Sequence, residues 1–128
     1  MVGRSVAASL NGGTAARYNA GRMPGAAYTK CFNTLTAGFQ AEAATRHGID
    51  RVVQWIAGDD AQAKKTVAEL VEACGYVAVD LADIDGCAVM EAPRRPGAVY
   101  GEEYRRAEAD AVVAAVRTGR PIPPTPAY

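Results

Sequence analysis

Val52-Val53-Gln54-Trp55-Ile56-Ala57, followed by Gly58-Asp59-Asp60, is the stretch on which the fold turns. It is almost continuously apolar and rich in β-branched and aromatic residues, the composition of a strand covered on both faces. The carboxylates after it suit the positive end of a helix, so Asp59 or Asp60 is expected to cap the next segment. Ala63, Val67, Leu70, Val71 and Cys74 then recur at helical spacing on one apolar face, and Gly75 closes the helix. Tyr76-Val77-Ala78-Val79-Asp80 reads as a further strand. A helix boxed between two strands by short loops is a βαβ unit, with parallel strands and a right-handed crossover.

Upstream, Pro24-Gly25 marks a turn, and Ala26-Ala27-Tyr28 leads into Lys30-Cys31-Phe32-Asn33-Thr34-Leu35. That run reads as a strand delivering polar side chains to the edge of a sheet. Phe39 to His47 reads as a helix closed by Gly48, and Thr14 as the cap of a short helix reaching Arg22. Val6-Ala7-Ala8-Ser9-Leu10 reads as a strand ending at Asn11-Gly12-Gly13. Downstream, Pro93-Arg94-Arg95-Pro96-Gly97 is a loop. Ala109, Val112, Val113 and Val116 form one face of a last helix, with Arg117 in its final turn and Gly119 after it. Pro121 to Pro126 is extended, packed along a neighbouring subunit or solvated. The expected organisation is an α/β domain over 1–104, then a C-terminal helix and proline-rich tail over 105–128.

The chain of 128 residues fits one domain. Its formal net charge is zero, which gives no electrostatic case for nucleic acid or an anionic membrane. No apolar run approaches the roughly twenty residues of a membrane span. Met1-Val2-Gly3-Arg4-Ser5 opens no long apolar region, so the expectation is a cytoplasmic protein without a signal peptide. Much of the apolar fraction is alanine, which buries little area, so a partner surface is expected to help. Cys31, Cys74 and Cys87 match neither a disulfide framework nor a zinc pattern and read as free thiols. One histidine, His47, and unspaced carboxylates build no metal site.

Ligands of open α/β sheets sit at the carboxyl ends of strands. Two readings therefore stand for Asn33 and Thr34: local capping of the next segment, or the start of a site. Asn33 carries a donor and an acceptor and can orient a carbonyl or enol oxygen. Asp80, Asp83, Asp85 and Glu91 follow the last strand and are expected on the same edge, as a general acid or base or as solvated loop carboxylates. The expected catalytic groups are Asn33 and Asp80, with Cys31, Phe32, Thr34, Glu91 and Tyr100 lining the pocket. His47 is read as a cation at a helix end or as a general base. Tyr100 and Tyr104 suit a pocket wall or a dimer interface.

Arg22-Met23-Pro24-Gly25-Ala26, Lys30-Cys31-Phe32-Asn33-Thr34-Leu35, Ala57-Gly58-Asp59-Asp60-Ala61-Gln62-Ala63-Lys64, Cys74-Gly75-Tyr76 and Val79-Asp80 stand in a telling order. In that order the chain resembles the F420-dependent NADP reductase-like oxidoreductases over roughly residues 20–104. Arg95-Pro96-Gly97-Ala98-Val99-Tyr100-Gly101 is similar to the close of the family's short members. The resemblance implies a Rossmann-type fold, NADP or F420 as cofactor, and a place for Asn33 and Thr34 where nicotinamide and acceptor meet. The family opens on a Gly-rich G-x-G-x-x-G turn, and this sequence has none. Cys31 stands where the family has alanine.

The resulting expectation is a truncated Rossmann-like parallel sheet of about four strands with flanking helices, completed by homodimerisation. Three functions are open to such a chain: small-molecule chemistry of isomerase, cyclase or dehydratase type without autonomous NADP binding; one half of an NADP- or F420-dependent oxidoreductase completed by a partner chain; or a non-catalytic binding or structural protein.

Overall fold

The computed structural model describes residues 13–126 and Tyr128. In chain order the elements are α1 (Ala15–Gly21), β1 (Thr29–Lys30), α2 (Ala37–Ala43), β2 (Val53–Gly58), α3 (Ala61–Ala73), β3 (Val77–Ala82) and α4 (Arg106–Arg117). Single 3-10 turns lie at Gly48–Asp50 and Ala88–Met90. The run Val6–Leu10 falls outside the described residues.

Every residue of β2 is buried, as its unbroken apolar composition requires. Strand alternation sends Val53, Trp55 and Ala57 to one face, where they pack with Leu81, Met90, Val99, Ala16 of α1 and Val112 of α4. Val52 and Ile56 face the other way, against Ala43 of α2, Val71 of α3 and Tyr76. The sheet is thus the middle layer of an α/β domain, with helices on both faces. Trp55 and Tyr104 meet edge to face at 5.7 Å, adding a directional contact to the first cluster.

The expected βαβ unit forms as β2–α3–β3. Its two strands run parallel, with Val53 beside Val77 and Ile56 beside Asp80. Asp60 is the residue that caps α3, its carboxylate accepting from the Ala63 N–H at 2.9 Å. Thr14 caps α1 and Thr36 caps α2 in the same way.

Four sequence expectations need correction. The described sheet has three strands in the order β1–β2–β3, and β1 runs antiparallel to β2, so the sheet is mixed rather than wholly parallel. Strand signals in a short run carry no direction, so the sequence could not supply it. Second, that strand stops at Lys30. Phe32 has a φ of 60°, which turns the chain out of the sheet before Asn33. Third, the helix expected over 39–47 lies over Ala37–Ala43, because Thr36 starts it early, and Gly48 belongs to the 3-10 turn instead. Fourth, Leu70 is 57% exposed and Cys74 is exposed; only Val71 of the five-residue face is fully buried.

The C-terminal segment packs in part on its own chain. Ile122 is buried, the Tyr104 hydroxyl donates to the Pro123 carbonyl at 3.0 Å, and the Thr125 hydroxyl donates to that of Glu103. No helix among the described residues is long and apolar enough to cross a membrane.

Candidate functional site

The carboxyl ends of β2 and β3 carry a cleft of about 410 Å³, lined by Arg17, the Met23–Ala27 turn, Tyr28, Asp59, Asp60 and Ile84. Two parallel strands ending side by side leave such a crevice between the loops that extend from them. Its charged lining is Arg17, Asp59 and Asp60, and Asp85 behind it completes their network. Arg17 of α1 forks onto Asp85, Nε to Oδ1 at 2.9 Å and Nη2 to Oδ2 at 2.8 Å. The same Nη2 reaches Asp59 Oδ2 at 3.0 Å, and Asp59 Oδ1 accepts from the Ile84 N–H. Arg17 thereby ties the end of β2 to the loop after β3. Its hydrogen bond holds the Asp85 carboxyl below the ordinary range, and the guanidinium is held above its own, chiefly by Asp85. All three side chains remain about half exposed, so the network orients more than it stabilises.

A second constellation is withdrawn from water. Glu91 Oε1 accepts from the Ala15 N–H at 2.8 Å, and Oε2 accepts from the Ala16 N–H at 2.9 Å and from Lys30 Nζ at 2.6 Å. The carboxylate therefore satisfies two free donors at the start of α1 and pairs with a cation from β1. Burial by itself raises the Glu91 pKa, but the Lys30 bond and charge with the two backbone donors outweigh it and leave the group below its usual value. One residue earlier, the Met90 carbonyl accepts from Asn33 Nδ2 at 2.7 Å. Asn33 Oδ1 is buried and has no partner among the described residues.

The residues singled out from sequence divide accordingly. Lys30, Asn33 and Thr34 all engage the 87–101 segment: Lys30 at Glu91, Asn33 at Met90, and the Thr34 carbonyl at the Gly101 N–H. Tyr100 stands beside that last contact, its N–H on the Val89 carbonyl. Phe32 packs edge to face on Tyr76, and its carbonyl accepts from Gln40 Nε2. Burial pushes the Cys31 thiol up to about 11, which keeps it protonated near neutrality and unsuited to nucleophilic attack. Asp80 does not join them. It lies within β3, not after it, and pairs with Lys64 of α3 at 3.0 Å, with β2 between it and the strand that leads to Asn33. For Asp80 the expected shared sheet edge fails because β1 is antiparallel: the chain beyond Lys30 heads away from the carboxyl ends of β2 and β3; Glu91, by contrast, follows the Met90 carbonyl that Asn33 engages. Asp83 bonds the Gly86 N–H in a local turn, and His47 is an exposed residue preceding the 3-10 turn.

Arg17 had no signal in the sequence, since its partners lie 42 and 68 positions away. Asp59 was visible only as a capping candidate for α3.

A dinucleotide needs free backbone donors and little negative charge where its pyrophosphate sits. Here the N-terminus of α3 already holds Asp60, that of α1 already holds Glu91, and Asp59 and Asp85 stand nearby. The described residues do not fit a pyrophosphate at either position. Among them, no group of three His, Cys, Asp or Glu is placed to hold a metal ion.

No protein-family model matches the chain, and no curated protein matches it. A solved structure that resembles it is the crystal structure of a hypothetical protein from Sinorhizobium meliloti, 26% identical, with a TM-score of 0.66. The match covers 77% of this chain and 46% of that one, so this chain spans about half the length of the structure it resembles.

Proposed function

We propose that this chain is a Rossmann-like α/β unit akin to the F420-dependent NADP reductase-like oxidoreductases. In this reading it acts on a small organic molecule in the cleft beside Arg17, Tyr28 and Asp59 without holding NADP or F420 by itself. The observation that carries the reading is the occupation of both helix starts at that end by the chain's own carboxylates, Asp60 and Glu91. The parallel β2–α3–β3 crossover supports the Rossmann-like descent. A cleft of about 410 Å³ suits a small metabolite, and Arg17 with its two carboxylates supplies polar groups that fix orientation. Proton-transfer chemistry of the isomerase, cyclase or dehydratase kind needs no more than such a pocket.

A second reading, one half of an oxidoreductase completed by another chain, draws on the 46% coverage of the longer structure. A second copy is the simplest such chain, and β3, an edge strand among the described residues, is where it would add.

Calorimetric titration with NADPH, with the oligomeric state measured in the same buffer, tests the first reading. The expected result is no binding. Micromolar binding would overturn it. A fragment screen read on the amides of Asp59, Asp60 and Ile84 then separates a working cleft from an inert one.

A further inference from the structure

A different cleft, of about 610 Å³, lies between the Arg94–Ala98 loop and the C-terminal segment Ile122–Thr125. It shares no lining residue with the cleft beside Arg17. Its walls are largely apolar, from Pro96, Ala98, Ile122 and Pro124, with Tyr104 among them. The Tyr104 and Thr125 hydroxyls are already engaged with backbone carbonyls, so they offer a ligand no free proton. The charged groups are two guanidinium ions, Arg94 and Arg95, against one carboxylate, Glu102.

The two arginines are fixed differently. Arg95 clamps its own loop, donating from Nη1 to the carbonyls of Glu91 and Pro93 and from Nη2 to that of Ala88. Arg94 is aimed. Its Nε donates to Glu102 at 2.8 Å, and its aliphatic stem lies across Gly101, where a Cβ would come within 3.0 Å of Arg94 Cγ and Cδ. Gly101 has a φ of +80°, so its backbone and its missing side chain both suit the place where the stem rests. The Nη1 and Nη2 edge of Arg94 has no hydrogen-bond partner among the described residues. A guanidinium oriented through Nε by one carboxylate presents its other edge as a fork for a second.

We propose that this cleft binds a small organic carboxylate with an aromatic or branched aliphatic body. The carboxylate sits on the Nη edge of Arg94, and the body lies against Pro96, Ile122 and Tyr104. The excess of one positive charge over the lining selects an anion, and the apolar walls select a ligand that is more than an inorganic ion.

Titration of the full chain with 2-naphthoate tests this, followed by calorimetry and by the amide resonances of Gly97, Ala98 and Gly101. Saturable binding that moves those amides is expected. 2-Naphthamide, which lacks the charge, and inorganic phosphate, which lacks the apolar body, should each bind at least about tenfold more weakly. Arg94→Gln should weaken naphthoate binding about tenfold, and Arg94→Lys should lose nearly as much, because a lysine keeps the charge without the fork. Arg94 is exposed, so both variants should keep the native circular dichroism spectrum. No binding of naphthoate, equal binding of naphthamide or phosphate, or full retention by Arg94→Lys would each overturn the proposal.

Discussion

Lys30 Nζ stands 2.6 Å from Glu91 Oε2, across 61 positions of sequence, and both side chains are largely shielded from water. The pair joins β1 to the start of α1 through one carboxylate. Removing one partner of such a part-buried, charge-assisted pair costs about 1.5–3 kcal/mol. Glu91→Ala strands Lys30 and two backbone donors together, so it should destabilise by that amount in urea denaturation. Lys30→Met leaves Glu91 with its two backbone partners and should cost clearly less. Equal losses would mean that the contacts to Ala15 and Ala16 contribute nothing.

The same carboxylate makes stability depend on pH. Its pKa is lower in the folded state than in the unfolded chain, where a glutamate titrates near about 4.3. Its contribution is complete above that value and is lost as pH falls through the lower folded value. Asp85, also held low by Arg17, acts in the same direction from an exposed position. The melting temperature should therefore fall steeply below about pH 4, and Glu91→Gln should flatten that fall. An unchanged profile in the variant would remove Glu91 from the acid response.

Gln54, the second residue of β2, is fully buried, and neither amide atom has a partner among the described residues. An unpaired buried amide costs about 1–3 kcal/mol. Gln54→Met, of similar shape and without polar hydrogens, should raise stability by that order, seen as a higher melting temperature. A fall instead would show that the amide is satisfied in solution.

Gly75 has a φ of +100°, and a Cβ there would lie 2.5 Å from the Ala44 carbonyl oxygen. Both the backbone and the space exclude a side chain, because α3 ends against the end of α2. Gly75→Ala should destabilise by more than about 2 kcal/mol, read as a lower urea midpoint. A near-neutral result would mean that the two helix ends part easily.

These contacts also mark what the sequence could and could not tell. The β2–α3–β3 unit, the caps at Thr14 and Asp60, and the buried face of α4 rest on local pattern, and each is found near its expected place. The direction of β1 rests on which neighbour it pairs with, and no spacing within Lys30–Leu35 encodes that. The turn at Phe32 was hidden for a related reason, since a non-glycine residue gives no warning of a left-handed backbone. Leu70 belongs to an apolar stripe wider than the strip the sheet covers; Val71 marks where the covered strip runs. At the candidate site, Asp59 and Asp60 were legible as acids after a strand. Arg17 was silent, and so was the grip of Glu91 on α1, because both depend on partners that only the finished fold brings near.

That grip has a kinetic side. Glu91 reaches back 76 positions to Ala15, whereas β2, α3 and β3 are consecutive in the chain. Closing so long a loop costs entropy that local contacts avoid, so α1 should dock after the β2–α3–β3 unit has assembled and leave before it. Native-state hydrogen exchange would register this as a helix whose amides open at lower free energy than those of β2. If α1 exchanged only with global unfolding, it would be an equal partner in the core rather than a latch closed last.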